Sequence, residues 1–313
     1  MIALGLLILA GLAGVWSVNA RGPACEATTV VLARGSGVSG IAGELKGAGV
    51  ISSAGLFVLM ARISGATGDL KAGEYEFPKA ASLGQVLADI RAGKVVRHSV
   101  TIPEGWTSGM VRQALEARTE LTGLVSEPPE GSVLPETYDL QRGETRSAVI
   151  LRMRAARDRA LSELWARRQR GLPLASPEAA VVLASIVEKE TGVAQERPRV
   201  AAVFINRLRA GMPLQSDPTI IYGLTRGRPL GRGIRASELA GETPYNTYRI
   251  AGLPPTPIAN PGRAALAAVL NPPATRELYF VADGTGGHAF AQTYAAHQVN
   301  VARWRTLEAG RGR

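Results

Sequence analysis

The stretch from Ser176 to Gly192 carries start and stop signals that strongly restrict it to a helix. Ser176 offers a hydroxyl N-cap, and Pro177 stands at the first helical position, where proline is favoured. Gly192 supplies a natural C-terminal stop. The residues between these signals are mostly apolar as far as Glu188. The sequence therefore predicts a helix over Pro177–Thr191 that has an apolar face and ends in charged residues.

Glu190 lies on the apolar face of this predicted helix. It follows apolar residues three, four, seven and eight positions earlier, which are Val187, Ile186, Leu183 and Val182. A carboxyl at the end of an apolar stripe is poorly hydrated, and the negative end of the helix dipole lies nearby. Both effects raise its pKa. A raised pKa is what a general acid needs near neutral pH, so Glu190 is the predicted catalytic residue.

Glu188 lies about 200° around the same helix from Glu190, at about 100° per residue. Spacing alone favours a simpler alternative, in which both glutamates are solvated at a fraying helix end. In that alternative they pair with Lys189, Arg197 or Arg199.

The N-terminus carries an uncharged apolar run, Ile2–Val18, that is close to the lower length limit for a membrane span. It is also compatible with the core of a signal peptide that is cleaved near Ala20. Both interpretations place the remaining chain outside the cytoplasm. We therefore expect residues 1–20 to form a single transmembrane helix or signal anchor in the cell inner membrane of a Gram-negative host. The rest of the chain is then periplasmic.

Composition narrows the classes of partner. The formal net charge of +10 and the pI near 10.2 favour an anionic partner, such as nucleic acid, anionic lipid or a cell-wall polymer. No zinc-finger spacing or basic-and-aromatic RNA-binding pattern occurs, which argues against nucleic acid. The single cysteine, Cys25, excludes an internal disulfide and a multi-cysteine metal site. The three histidines lack metal-ligand spacing, so we predict neither a metal nor a cofactor.

The order of strand-like and helix-like segments predicts an α+β fold in two parts. Residues 28–103 form a small module of short strands and helices, including a helix that Ser82 caps and Gly93 ends. This module has no catalytic-looking cluster, so binding or spacing is its expected role. Residues 104–313 form a larger α+β domain, whose long polar loops between predicted helices are typical of functional segments.

Two polar clusters in the larger domain suit a sugar ligand. They are Gln215–Thr219 and Tyr245–Tyr248. Aromatic rings can pack on the apolar faces of sugars, and amides can bond to the hydroxyls at their edges. The segment Gly284–His288 superficially looks like a phosphate loop, but it lacks the GxxxxGK[ST] pattern and is predicted to be a tight turn.

Several longer motifs occur in one order along the larger domain. They are Leu134–Tyr138, Ala184–Gly192, Val203–Leu208, Leu214–Thr219, Tyr245–Tyr248, Gly252–Pro255 and Tyr279–Gly284. Together they closely resemble the YceG-like family of endolytic murein transglycosylases, over about residues 132–300. The upstream module resembles the LysM-like subdomain of that family, and the apolar N-terminal run resembles its single membrane span.

The resemblance implies a lytic enzyme of peptidoglycan, which cleaves the β-1,4 bond between N-acetylmuramic acid and N-acetylglucosamine. The product is a 1,6-anhydro end, and the reaction terminates the elongation of nascent strands. Such an enzyme requires one acid–base carboxylate, whereas an ordinary glycosidase requires a pair. The implied partners are glycan strands and cell-wall synthases of the penicillin-binding class.

The resemblance also assigns roles to residues. It places the catalytic glutamate at Glu190, in agreement with the helical-face argument. The residues that it implies along the glycan groove are Gln215, Asp217, Tyr245, Asn246 and His288. The match is looser over Tyr294–Asn300, so no role is assigned to His297 or Asn300.

Two alternatives share most of these features. A hydrolytic muramidase would use the same glutamate with water and would leave reducing ends. A glycan-binding scaffold would recruit synthases through the LysM-like module without cutting, although the intact Glu-Lys-Glu-Thr motif argues against it.

We predict that the native chain sediments with the membrane fraction, because the apolar run Ile2–Val18 is expected to anchor it. Cell fractionation followed by immunoblotting measures this. Recovery of the uncleaved chain as a soluble cytoplasmic protein would contradict the prediction.

Overall fold

The computed structural model describes residues 18–311, and these form two compact units. The first unit holds the described residues up to Ser99 together with Asp139–Glu144. The second holds Val100–Tyr138 and the chain from Thr145 onward. The division after Ser99 lies close to the expected boundary after residue 103. The return of Asp139–Glu144 to the first unit was not predicted.

The first unit pairs two strands and packs three helices in a core of its own. Its elements are β1 (Thr28–Leu32), α1 (Val38–Gly47), α2 (Ala54–Ile63), β2 (Gly73–Phe77) and α3 (Leu83–Ala92). Strands β1 and β2 are antiparallel, with Thr28 opposite Phe77. The predicted caps of α3 are confirmed: the Ser82 hydroxyl accepts from the Gln85 N–H, and Gly93 takes the left-handed conformation.

A buried carboxylate explains why Asp139–Glu144 belongs to the first unit. Glu74 of β2 is bound by Nε2 of His98 at 2.7 Å and by Nε of Arg142 at 2.9 Å. Burial alone would raise the pKa of Glu74, but the hydrogen bonds from Arg142 and His98 outweigh it and hold that pKa below its usual value. No local pattern in the sequence indicates that Glu74 pairs with residues as distant in the chain as His98 and Arg142.

The second unit is mainly helical. It holds the second half of β3 (His98–Thr101) and the first half of β4 (Thr137–Leu140). Its other elements are α4 (Ser108–Glu116), α5 (Arg146–Ala166), α6 (Pro177–Glu190), α7 (Arg197–Arg209), α8 (Asp217–Thr225), α9 (Ala236–Ala240), α10 (Arg263–Leu270), β5 (Tyr279–Ala282), β6 (His288–Ala291) and α11 (Tyr294–Arg311). Strands β3 and β4 form one two-stranded sheet, and the division of the chain falls within both strands. Strands β5 and β6 form an antiparallel hairpin. The predicted α+β class is confirmed.

Helix α6 lies at the centre of the second unit. Every residue from Ala180 to Val187 is buried, and α6 packs against α5, α7, α8 and α10. A helix that is apolar on all sides must be enclosed in this way. The Ser176 hydroxyl accepts from the Ala179 N–H at 3.1 Å, which confirms the predicted cap. Burial of α6 fixes the position of its last residue, Glu190.

Helix α8 was missed because its first residues are polar and it spans only Asp217–Thr225. A segment this short has little intrinsic helical stability in water. In the structure, Ile220 and Tyr222 are buried, so tertiary packing supplies the stability that the local sequence lacks. The elements α9, β4 and β6 were also missed, because each spans only four or five residues and gives little local pattern.

The predicted anchor at residues 1–20 lies outside the described residues except for its last three. Within residues 18–311, no helix combines the length and the apolar character needed to cross a membrane.

Asn260 is fully buried and joins three loops of the second unit by hydrogen bonds. Its amide nitrogen donates to the Trp106 carbonyl at 3.0 Å, and its side-chain oxygen accepts from the Val133 N–H at 3.3 Å. Its backbone also exchanges hydrogen bonds with Trp106 and Gly105. These bonds hold the segment that leads into α10 against the segments around α4.

We predict that Asn260→Ala destabilises the chain by about 3 kcal/mol, because it leaves buried donors and acceptors without partners. Urea unfolding followed by circular dichroism measures the change. Asn271→Ala is the matched control, since Asn271 is exposed at the end of α10. Equal losses in the two variants would contradict this account.

Candidate active site

Glu190 ends α6 half-buried, with one carboxyl oxygen held by a buried hydroxyl. Oγ of Ser216 donates to Oε1 of Glu190 at 2.5 Å, and Ser216 is only 1% exposed. Because Oε1 accepts this hydrogen bond, Oε2 is the oxygen left to carry a proton. The hydroxyl therefore fixes both the direction of the carboxyl and the atom that exchanges the proton.

The backbone around Ser216 is arranged to aim its hydroxyl. Gln215 takes the left-handed conformation, with φ of 53°, which a residue with a side chain adopts only under constraint. The Ser216 N–H donates to Oγ1 of Thr247 at 2.9 Å, and the Gln215 N–H donates to the Thr247 carbonyl at 3.0 Å. Ser216 precedes α8 without capping it through its side chain, which leaves the hydroxyl for Glu190.

Burial raises the pKa of Glu190 to about 7. The hydrogen bond from Ser216 and the positive charge of Arg207 oppose this shift, whereas the negative charge of Asp217 adds to it. Near neutral pH the carboxyl is therefore present in both protonation states. A single group that can donate and then accept a proton is what general acid–base chemistry requires.

Asp217 and Gln215 flank Ser216 in the chain, and each is held by a partner. The Tyr248 hydroxyl donates to Oδ1 of Asp217 at 2.6 Å. Nη1 of Arg207 donates to Oε1 of Gln215 at 3.2 Å and to the Leu214 carbonyl at 2.8 Å. Arg207 is buried, which lowers the pKa of its guanidinium, and its fixed charge faces Glu190.

A cavity of about 310 Å³ opens beside Glu190. Four of its nine lining residues are glycines, and the others include His288 of β6 and Trp304 of α11. His288 is held by Glu196, which bonds to its Nδ1 at 2.8 Å and accepts from its backbone N–H at 2.9 Å. Because a carboxylate only accepts hydrogen bonds, Nδ1 carries the proton. The predicted residue His288 thus shares a cavity with Glu190.

Two further residues predicted to line the groove, Asn246 and Tyr245, have partners within the protein. Asn246 is buried, and its amide nitrogen donates to the carbonyls of Glu238, Leu239 and Gly241. Its side-chain oxygen accepts from the Tyr248 N–H. The ring of Tyr245 packs on Tyr222, and its hydroxyl bonds to Thr256. These contacts hold the loop in place, and contact of the two residues with a sugar stays a prediction.

Glu188 is not solvated, contrary to the simpler alternative from spacing. Its side chain is 3% exposed, and its Oε1 pairs with Nη2 of Arg197 at 3.1 Å. Its Oε2 accepts from the Gly262 N–H at 2.8 Å, at the start of α10. Burial raises the pKa of Glu188. Its contacts tie α6 to α7 and α10, so it is a structural partner of the site.

Sequence reasoning missed Ser216, Tyr248, Arg207 and Trp304. The first three lie inside segments that had been singled out, but nothing local marks which of their side chains turn towards Glu190. Trp304 lies in a terminal helix and carried no signal at all. Within residues 18–311, no group of three or more acidic, histidine or cysteine side chains could hold a metal ion.

The single desolvated carboxyl beside a cavity has the geometry of a general acid–base centre. Comparison with known proteins then gives the family: the chain belongs to the YceG-like family, whose profile matches residues 30–303.

Relatives in this family are similar over most of the chain. A protein from Streptococcus pneumoniae serotype 2 (strain D39), named endolytic murein transglycosylase, is 30% identical over 88% of this chain and 58% of its own length. The chain thus spans less than two thirds of that relative. A protein of the same name from Bacillus subtilis (strain 168) is 29% identical over 84% of this chain and 81% of its own length.

A solved structure has a similar fold. The crystal structure of a putative yceG-like protein from Listeria monocytogenes is 28% identical, with a TM-score of 0.55. The similarity covers 88% of this chain and 98% of that one.

We predict that Glu190 titrates near pH 7 and that its neighbours move this pKa in opposite directions. Ser216→Ala removes a hydrogen bond to the charged form, so the pKa rises further. Asp217→Asn removes a neighbouring negative charge, so the pKa falls. Carbon-13 NMR of labelled glutamate carboxyls, assigned with Glu190→Gln, measures both shifts. A Glu190 pKa near 4.5 in the parent chain would contradict the site.

Proposed function

We propose that this chain is an endolytic lytic transglycosylase, which cleaves the β-1,4 bond between N-acetylmuramic acid and N-acetylglucosamine in peptidoglycan. The observation that carries the proposal is the carboxyl of Glu190, whose burial beside a cavity raises its pKa to about 7. Membership of the YceG-like family and the names of the relatives support the same substrate.

In the first step, protonated Glu190 gives its proton to the glycosidic oxygen. The bond from that oxygen to C1 of the muramic residue then breaks, and N-acetylglucosamine leaves as the alcohol. In the second step, the carboxylate takes the proton of the muramic C6 hydroxyl as that oxygen bonds to C1. The product is a 1,6-anhydro ring, and Glu190 regains its proton. One carboxyl serves both steps, as its intermediate pKa allows.

Ser216 and Asp217 would support these two steps in different ways. The hydrogen bond from Ser216 to Oε1 stabilises the carboxylate that forms after the first step and leaves Oε2 for both proton transfers. The charge of Asp217 favours the protonated form and also stabilises positive charge that develops at the sugar ring.

A hydrolytic muramidase is the second candidate, because Asp217 is a carboxylate close to Glu190. Glycosidases that use water usually need a second carboxylate as base or nucleophile. In the lytic reaction the substrate's own hydroxyl is the nucleophile, so Asp217 is not required to take a proton. The hydrogen bond that Asp217 accepts from Tyr248 suits an electrostatic role better than a nucleophilic one.

We further propose that the enzyme acts outside the cytoplasm, anchored by residues 1–20, and ends strands that penicillin-binding synthases are extending. The names of the relatives, which specify murein, support an extracytoplasmic site of action. The first unit is then the LysM-like part that contacts glycan. A non-catalytic scaffold would keep this binding and would not need the desolvated carboxyl of Glu190.

We predict that Glu190→Gln lowers cleavage by at least about 10²–10⁴-fold, because the amide can neither donate nor accept the required proton. Release of 1,6-anhydromuramyl products from purified peptidoglycan, measured by mass spectrometry, tests this. Products that carry only reducing ends would establish the hydrolytic candidate.

The matched control is Glu178→Gln, which changes an exposed glutamate in the first turn of the same helix and should leave cleavage unchanged. Glu188→Gln is unsuitable as a neutral control, because it breaks a buried ion pair. Asp217→Asn separates the mechanisms: the lytic reaction keeps measurable activity, whereas a hydrolase that depends on this second carboxylate loses it.

A further inference from the structure

Trp304 is an aromatic residue of the Glu190 cavity that lies far from the family motifs in the sequence. It stands in α11, is half-buried, and lines the cavity together with Glu190 and His288. Within residues 18–311 its indole N–H has no hydrogen-bond partner, and it is not enclosed by neighbouring atoms. Buried tryptophans usually find a partner for this group, so an accessible and unpaired one is available to a ligand.

The packing of α11 holds Trp304 against the β5–β6 hairpin. Leu307 follows Trp304 by three residues, so both lie on one helix face. A Cβ added to Gly284 would lie 2.8 Å from Leu307, which shows that this face packs directly on the hairpin backbone. One end of α11 is fixed as well, since His297 stacks on Tyr279 of β5 with ring centroids 5.1 Å apart.

Half of the residues that line the cavity besides Trp304 are glycines. Gly192, Gly284, Gly286 and Gly287 all line the cavity, and glycine allows a backbone to approach a ligand closely. Gly284 and Gly286 also have positive φ of 87° and 100°, which other residues adopt only under strain. Gly192 and Gly286 are exposed, so an aromatic face beside their backbone offers both an apolar platform and hydrogen bonds.

We propose that Trp304 is the stacking platform of a sugar subsite, which binds one N-acetylhexosamine ring of the glycan strand beside Glu190. This inference rests on the proposed function and specifies which part of the cavity holds the substrate. One face of such a ring is lined by C–H groups that pack on an indole, while its hydroxyls and acetamido group can reach the glycine backbone and the indole N–H.

The volume of the cavity sets the scale of the ligand. At about 310 Å³ it lies at the lower end of the range for ligand pockets, about 300–1,000 Å³. It suits a single ring rather than a long segment of strand. A ring held there lies beside Glu190, which lines the same cavity and would protonate the bond to the neighbouring ring.

The test measures binding without cleavage. Each variant is made in the full chain that carries Glu190→Gln, and isothermal titration calorimetry measures its affinity for soluble, peptide-free peptidoglycan glycan strands. Trp304→Ala should weaken binding by about tenfold or more, as truncation of a central aromatic anchor does. Trp304→Phe keeps a flat face and should lose much less than Trp304→Leu, which keeps apolar volume without that face.

Tyr294→Ala is the matched control. Tyr294 is an exposed aromatic residue of the same helix, packs on Tyr279, and does not line the cavity. The proposal is overturned if Trp304→Ala binds as well as the parent, if Leu and Phe at position 304 behave alike, or if Tyr294→Ala loses as much. If Trp304→Ala fails to fold, the comparison of Trp304→Leu with Trp304→Phe still tests whether a flat ring at this position binds the sugar.

The same experiment distinguishes failure of the subsite from failure of the function. If the chain with Glu190→Gln alone binds no glycan, the proposed substrate is wrong, and the proposed subsite is wrong as well. If that chain binds glycan and the loss of Trp304 has no effect, only the subsite is wrong. Retained cleavage by Glu190→Gln would contradict the acid–base role independently of Trp304.

Discussion

The desolvation of one carboxyl, at the end of a helix that is buried on all sides, is the constraint on which the site depends. Burial of α6 carries Glu190 out of water and raises its pKa to about 7. The unfolded chain releases this proton at a lower pH, so the unfolded state binds fewer protons between about pH 4.5 and 7. Stability therefore falls as pH rises through that window, by up to about 3 kcal/mol. The same burial therefore lowers the free energy of unfolding near neutral pH and raises the pKa of Glu190 into that range.

The surrounding contacts limit that cost without removing the effect. Ser216 and Arg207 favour the charged form of Glu190. The Ser216 N–H donates to Oγ1 of Thr247, and the Arg207 guanidinium donates to the Leu214 carbonyl. The strained backbone of Gln215 sits where the chain turns into α8, which is where the hydroxyl must be aimed. Hydrogen bonds to Thr247 hold the backbone in this conformation.

Two glutamates two residues apart on α6 have different roles because they meet different surroundings. Glu188 accepts hydrogen bonds from Arg197 and from the start of α10, so its carboxyl ties helices together. Glu190 accepts one hydrogen bond, from the Ser216 hydroxyl, and lines a cavity, so its carboxyl remains available to a ligand. Burial raises the pKa of both, and it is access to the cavity that separates the acid–base candidate from the structural partner.

The sequence by itself determined the α+β class, most helices, the caps at Ser82 and Ser176, and the apolar face on which Glu190 lies. These features follow from local periodicity and from capping, which need only neighbouring residues. Only the tertiary structure decided that the Ser216 hydroxyl bonds to Glu190 and that the Asn246 amide bonds to carbonyls of its own loop. It also decided that Trp304 lines the same cavity as Glu190. Each depends on contacts between residues distant in the chain. Such contacts fix where a side chain points, and no local pattern encodes that direction.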